Sequence, residues 1–520
     1  MNYHDRAIAQ RVRNALKISP VVFINGPRQA GKSTLVKAIA KEMQEMSYVT
    51  FDDMTTRNSA MNDPQGFLRS FIKPVIIDEV QKVPEIFSSL KLLVDEYRLA
   101  DKATANGRFL LTGSVDAMAF PKLSGALVGR MIPISLYPLS ASEMLAGGKE
   151  VINGLFDQKI AFSQGRERFS FNDAIQAATF PEITEMSKDN RHEWFNGYIS
   201  TLLERDVREL AQIEKITALP SMLKVLAARA GSLLKDSDLA KDMNLNPMTC
   251  QRYKALLEKL FLIREIRPWY RNIGMRAVRS PKVFFVDTAL LCHQLGVEAE
   301  ELKLHNSTLF GHVLENFIFS ELQKQLGLLI GTELYYFRTY DNKEVDFIIE
   351  RRDGTIVGIE VKSSDSVDNR DFHSLSILKE KIGRDFIRGI VLYCGKDTMR
   401  FSDDMIAMPI GALFNMEVEV FRSDEEPDKY VLWAEYGDRT EIRYDIWRDT
   451  ILECLCDNSS IGHDNFKKVI LDNMDKIKPI LVRKITNGEI YVKEYDLGEN
   501  SDKRYKEVSY ATLTPDDFRK

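Results

Sequence analysis

Two sets of residues in this sequence have types and spacing that could do chemistry. The first is Gly26-Pro27-Arg28-Gln29-Ala30-Gly31-Lys32-Ser33-Thr34, which meets the pattern G-x-x-x-x-G-K-S/T between an apolar run, "VVFIN", and a helical stretch, "LVKAIAKEM". Glycines there let a loop turn its N–H groups inward around phosphates, Lys32 reaches the β and γ oxygens, and the Ser33 hydroxyl completes a magnesium shell. A second apolar run, "KPVIIDEVQKVPE", ends in Asp78 and Glu79. Asp78 is placed to hold Mg2+ through water, and Glu79 to orient and activate the attacking water, so the pair adds hydrolysis to binding. A third run, "GRFLLTGSVD", ends in Thr112 and Ser114, small polar side chains able to sense a γ-phosphate, although "TGS" also makes an ordinary turn.

The second set lies in the last third of the chain. Glu315 sits on the amphipathic stretch "GHVLENFIFSELQKQ", Asp346 starts the run "VDFIIE", and Glu360 and Lys362 stand two apart in "IVGIEVKSS", hence on one face of a strand. Charges inside an apolar run need partners if buried; a metal is one answer and a salt bridge from Lys362 to an acid is another. The order of a helix Glu, a strand Asp and then Glu-x-Lys resembles the restriction-endonuclease-like superfamily with its PD-(D/E)xK motif. The resemblance implies that Asp346 and Glu360 bind one or two Mg2+, that Lys362 positions or polarises the attacking water, and that Glu315 completes the metal site. "NKEVDF" has no proline before Asp346, a departure from that motif.

Elements must position these groups. Three apolar runs each followed by polar residues or a helix predict a parallel sheet with the phosphate loop at its carboxyl end. The segment "WFNGYISTLLERDVREL" reads as a helix with a cluster of Glu204, Arg205, Asp206 and Arg208 on one face, of which Arg205 is taken as structural or as an interface contact, with a catalytic role as the alternative. From Leu219, three short helices and an apolar "FLIREIRPW" hairpin predict a winged helix, with Pro247 in the first turn of its recognition helix and Arg252, Lys254 and Lys259 on that helix. "FRSDEEPDKY" reads as a linker, and residues 430–520 as a small α+β appendage.

The chain of 520 residues thus divides into 1–145, 146–218, 219–300, 301–415 and 430–520, an α/β multidomain protein. A net charge of -5 gives no global basic field, so nucleic-acid binding would have to come from local patches. Five cysteines without paired spacing argue against a disulfide framework or a structural zinc. Without an apolar span of about 20 residues or a signal segment, the expectation is a cytoplasmic protein with no membrane partner.

"GPRQAGKSTL", "VIIDEVQKVPE", "FLLTGSVD" and "LVGRMIPISLYPLS" together resemble a prokaryotic branch of AAA+-type P-loop ATPases, here carrying a C-terminal restriction-endonuclease-like region. The resemblance implies ATP and Mg2+ as cofactors. It also makes Arg130 a candidate contact to the γ-phosphate, in cis or from a neighbouring subunit, with a surface ion pair as the alternative. The functional expectation is an ATPase whose nucleotide state is coupled to a nuclease-like domain acting on DNA or RNA. The alternatives are an ATP-dependent assembly switch with an inactive nuclease-like domain, and a winged-helix DNA-binding regulator. A protein partner at the appendage and oligomerisation are both compatible with the sequence.

Overall fold

The computed structural model describes residues 4–518 apart from 5, 44–45, 102–104, 115–126, 147–150, 157–170, 207–215, 299–301, 303–306, 414–417, 423–427, 437–439, 456–465, 467–468, 471–472, 474–475, 478–479, 481–490 and 496–505. By its contacts the chain forms two compact units that are not contiguous in sequence. One comprises Met1–Ser140, Ser170–Ser363 and Asp368–Gly389; the other comprises Ala141–Phe169, Ser364–Val367 and Ile390–Lys520.

The first unit opens with a five-stranded parallel sheet. Its strands are β1 (Val21–Asn25), β2 (Ser47–Thr50), β3 (Val75–Asp78), β4 (Phe109–Gly113) and β5 (Met131–Ser135), in the spatial order β2-β3-β4-β1-β5. Side chains alternate across each strand, so Val21, Phe23, Ile77 and Leu111 build a core on one face with Phe87 and Leu90 of helix α3 (Ile86–Ala100). Val22, Ile24, Ile76 and Leu110 build a second core with helices α1 (Ala9–Ile18) and α2 (Lys32–Met43). Both faces are covered, which is why these strands read as unbroken apolar runs. This sheet with its helices is the fold of a P-loop NTPase.

Two regions follow in the same unit. Helix α4 (Lys188–Thr201) precedes three helices, α5 (Leu219–Ala228), α6 (Asp236–Met243) and α7 (Pro247–Lys259). Pro247 is the first residue of α7, and the Asn246 side chain caps it by accepting from Met248 N. Strand β6 (Ile263–Ile266) pairs antiparallel with β7 (Lys282–Phe285). The expected hairpin within "FLIREIRPW" is therefore a wider pair, closed by residues 267–281. Helix α8 (Ser307–Leu326) leads into an antiparallel meander of β8 (Thr332–Arg338), β9 (Glu344–Arg351) and β10 (Ile356–Lys362).

The second unit holds a mixed sheet of β11 (Val418–Arg422), β12 (Lys429–Tyr436), β13 (Thr440–Trp447), β14 (Tyr491–Tyr495) and β15 (Lys506–Leu513), ordered β11-β12-β13-β15-β14. Tyr430, Tyr444 and Ile446 of this sheet pack on Ile451 of helix α9 (Arg448–Leu455). β11 pairs with β12 across the stretch read as a linker, so that stretch connects two neighbouring strands of one sheet. Among the described residues, no helix is long and apolar enough to cross a membrane.

Candidate functional site

The parallel register puts the loop after β1, the end of β3 and the end of β4 side by side. Gly26 opens the loop at φ 151, where a Cβ would lie 2.0 Å from Leu136 O, so no side chain fits. Gly31 closes it at φ 91. The Lys32 ammonium reaches back across the loop to Gly26 O at 3.0 Å and Pro27 O at 2.6 Å. These are neutral acceptors that phosphate oxygens can replace with stronger charge-assisted bonds.

Asp78 is buried at the end of β3, where its two carboxylate oxygens accept from Thr112 Oγ1 and, at 2.7 Å, from the Tyr48 hydroxyl. Burial and the Asp78 charge push the Tyr48 phenol well above its ordinary range, which keeps it a donor. Glu79 follows at φ 56, a left-handed conformation that a non-glycine residue adopts at an energetic cost and that recurs at functional sites. Its backbone N–H donates to Thr112 Oγ1 at 3.2 Å. The Gln81 amide nitrogen donates both to the Glu79 carboxylate and, at 3.0 Å, to Ser114 Oγ. Thr112 and Ser114 thus meet the acids of β3 through hydrogen bonds, and Gln81, which sequence reasoning passed over, is the bridge. Its signal was present in "DEVQ", two residues beyond Glu79 on a one-turn helix.

Two further groups were missed. Arg6 is buried and donates to Ala30 O at 2.7 Å and to Tyr137 O at 2.6 Å, tying the phosphate loop to the segment after β5. Helix α4 forms the far wall of a cleft of about 1000 Å³ whose near wall is Arg28, Gln29, Gly31, Lys32, Ser33 and Thr34, with Glu79 beside them. The Tyr198 hydroxyl closes one edge at 3.4 Å from Arg28 O. Arg205 lies in the π-helical turn Leu202–Asp206 that follows, and Arg208 lies outside the described residues.

Arg130 is elsewhere. Val21 pairs with Met131 and Asn25 with Ser135, so Arg130 flanks the amino end of the sheet while the loop flanks the carboxyl end. Its guanidinium grips Asp95 of α3 through Nε and Nη2, at 2.6 and 2.8 Å. This corrects the expected cis contact to the γ-phosphate: the arginine is on the wrong end of β5 and forms the surface ion pair instead.

The second set of residues does converge, around a lysine the sequence reading left out. Lys282 of β7 has a side chain only 3% exposed, with its ammonium 2.8 Å from Glu315, 2.5 Å from Glu344 and 3.7 Å from Asp346. Asp346 also accepts from Val361 N at 2.8 Å, and Lys362, 34% exposed, lies 3.5 Å from Glu360. Burial works against the Lys282 charge, but Glu315, Asp346 and Glu344 outweigh it and hold the ammonium well above the lysine range. Burial pushes Glu315 up, with Lys282 opposing and Asp346 adding; burial and then Asp346 push Glu360 up. The cluster as it stands does not fit a divalent metal, because an ammonium stands among the oxygens that would coordinate one. Among the described residues no group of three or more His, Cys, Asp or Glu side chains could hold a metal ion. Where the sequence reading expected a metal, Asp346 meets the Lys282 ammonium and Glu360 the Lys362 ammonium.

The neighbouring contacts reinforce the closure. Trp269 N donates to Tyr336 O at 2.6 Å, and Arg276 pairs with Glu350 at 2.5 and 3.0 Å, stitching residues 267–282 to β8 and β9. Lys254 of α7 is also committed internally, at 2.6 Å from Asp236 and 2.7 Å from Glu265, so it does not belong to an exposed basic face.

The fold and the cradle define the class: residues 19–145 match the family described as AAA domain, an AAA-type P-loop module. Residues 168–301 and 310–413 match two families described as domains of unknown function, DUF8612 and DUF4143. Proteins of Mycobacterium tuberculosis and Mycobacterium bovis, each described as uncharacterized, are 30% identical over 408 residues, covering 78% of this chain and 83% of theirs. The chain belongs to the family of these mycobacterial proteins. A Haemophilus influenzae protein, also described as uncharacterized, is 22% identical over 373 residues, 68% of this chain and 84% of that one. Among solved structures, the chain is similar to a Walker-type ATPase of Pyrococcus abyssi at 14% identity and a TM-score of 0.35, covering 56% of this chain and 96% of that one.

Proposed function

We propose that the chain binds and hydrolyses ATP and uses its nucleotide state to switch the arrangement of the region around α8. The observation that carries this is the meeting of the Lys32 loop and Glu79 at one cleft, with buried Asp78 and the Thr112–Ser114 strand end joined by hydrogen bonds directly behind Glu79. Lys32 moves from its loop carbonyls to phosphate oxygens, and Glu79, held by Gln81, takes the proton of the attacking water. A magnesium ion suits this donor set, the Ser33 hydroxyl directly and the Asp78 carboxylate through water, since each Asp78 oxygen keeps a lone pair beyond the bond it accepts. When bound, the ion neutralises charge on the β- and γ-phosphates.

A contiguous route supports the switch. Ala30 in the loop is held by Arg6, Arg6 holds Tyr137, and Leu139 O accepts from Lys324 of α8 at 2.8 Å, the helix that also carries Glu315. Continuity alone does not prove coupling, so the test must measure it. The division into an ATPase of residues 1–145, a helical segment, a winged-helix-like segment and a restriction-endonuclease-like segment of residues 301–415 is part of this reading. The Lys282 cluster favours its second form, in which the nuclease-like segment is a binding scaffold and cleaves neither DNA nor RNA. Cytoplasmic placement and a protein partner at residues 430–520 belong to the same proposal.

Purified full-length protein is assayed for phosphate release from ATP and for Mg2+- or Mn2+-dependent cleavage of DNA and RNA, beside Lys32→Ala and Lys362→Ala. Turnover lost in Lys32→Ala, with no cleavage by any form, is the expected result. Cleavage that Lys362→Ala abolishes would overturn the scaffold reading, and absence of turnover in the unaltered protein would overturn the ATPase reading.

A further inference from the structure

The cleft is larger than a triphosphate requires. Its volume of about 1000 Å³ is at the upper end of the usual range for sites that enclose a whole small ligand, roughly 300–1,000 Å³. The phosphate loop occupies one wall, and the opposite wall is one face of α4: Asn190, Trp194, Gly197, Tyr198 and Thr201 recur at helical spacing and all line the cleft.

That face is built like a stacking platform. The Trp194 indole lies parallel to the Tyr198 ring, centroids 4.9 Å apart and planes 7° apart. Phe180 and Phe195 brace it, each with its ring centroid 5.3 Å away. The Tyr198 hydroxyl in turn donates to Arg28 O of the phosphate loop at 3.4 Å, which joins the platform to the cradle. Beside Trp194, a Cβ placed on Gly197 would meet nothing within 4 Å. Glycine is an unfavourable residue in a helix interior, and what it leaves here is an open slot next to an aromatic plane. Polar groups at Asn190 and Glu193 border the same cleft and can meet ring nitrogens or ribose hydroxyls.

We infer that this face of α4 is the base-binding platform of the nucleotide site, with a purine stacked on Trp194 in the slot over Gly197. This rests on the ATP-binding reading above. Stacking on a rigid aromatic plane favours the larger ring system of a purine over a pyrimidine, while the loop alone recognises any polyphosphate. The platform therefore sets which nucleotide binds, and the cradle sets that one binds.

The test is a calorimetric titration of the full chain with ATP, CTP and inorganic tripolyphosphate, all with Mg2+, for the unaltered protein and for Trp194→Ala, Trp194→Phe, Gly197→Leu and Lys32→Ala. The unaltered protein should bind ATP at least about ten-fold more tightly than tripolyphosphate, with CTP between them. Trp194→Ala and Gly197→Leu should each close that gap while leaving tripolyphosphate affinity unchanged, and Trp194→Phe should keep most of it. Gly197→Leu raises helix propensity and enters open space, so its effect reads the slot and not a folding defect. An unchanged ATP to tripolyphosphate ratio in both variants overturns the platform, as does an equal loss of both ligands. Lys32→Ala should weaken every ligand together. Failure of the unaltered protein to bind either ATP or tripolyphosphate would remove the nucleotide reading itself.

Discussion

The nucleotide cleft and the Lys282 cluster each gather charges from distant parts of the chain, yet they face in opposite chemical directions. In the cleft, Lys32 rests on the neutral carbonyls of Gly26 and Pro27 beside a space of about 1000 Å³. In the cluster, Lys282 is 3% exposed and already surrounded by the acidic side chains of Glu315, Glu344 and Asp346. A cation on neutral carbonyls next to open space can exchange them for phosphate oxygens; a cation among acids has its charge already matched. Convergence of charged residues is therefore not evidence of a ligand site until their partners are counted.

The largest effect should come from the cleft. Glu79→Gln keeps the shape of the side chain but removes the base, so ATP turnover should fall about 10²–10⁴-fold with nucleotide affinity retained, read by phosphate release and equilibrium binding. Equal loss of affinity would mean that Glu79 holds the loop and not the water.

Next comes Lys282→Ala, which leaves Glu315, Glu344 and Asp346 without their cation. Breaking a buried pair in this way costs about 3–5 kcal/mol, measurable in denaturant unfolding of the full chain, and Mn2+ should raise the unfolding midpoint of this variant but not of the nucleotide-free unaltered protein. A Mn2+ response in the unaltered protein that Asp346→Asn removes would show that the cluster already accepts a metal.

A pH dependence separates the two regions further. Glu315 and Glu360 hold protons in the folded state above the ordinary carboxyl range, because of burial and neighbouring acids. A carboxyl with a raised folded pKa stabilises fully below its unfolded value, about 4.3, and that contribution is lost as pH rises through the folded value. The thermal midpoint should thus decline from mildly acidic toward alkaline pH, and Glu315→Gln should flatten the decline. A profile indifferent to Glu315→Gln would place the protons elsewhere. The smallest effect should be Arg130→Ala: loss of a half-exposed ion pair costs about 0.2–1 kcal/mol and leaves ATP turnover per chain unchanged.

Much of the first region was legible in the sequence, because the phosphate loop, Asp78-Glu79 and the Thr112–Ser114 end are local patterns and a parallel sheet aligns their ends by construction. Arg130 was misplaced because a motif gives residue type without saying which end of a strand it flanks. Arg6, Trp194 and Tyr198 were not read as neighbours of the loop because they reach it from distant segments: the helical pattern of "WFNGYISTLLERDVREL" is legible, but it does not say which face will meet the loop. In the second region the strand spacing of Glu360 and Lys362 correctly put charge on one face, but Lys282 comes from β7, and an isolated lysine in "SPKVFF" gives no hint that it will be buried among acids.

The strand order β2-β3-β4-β1-β5 has a consequence for the protein during its synthesis. β1 is made first of the five and lies between β4 and β5, whose last residue is Ser135, while the loop's anchor Arg6 waits for Tyr137. An emerging chain thus exposes an apolar β1 with no lateral partner until β4, which ends at Gly113, has left the ribosome tunnel, and the nucleotide cradle, translated ahead of the sheet's other strands, is among the last parts of its module to take shape, because β5 and Tyr137 follow later still.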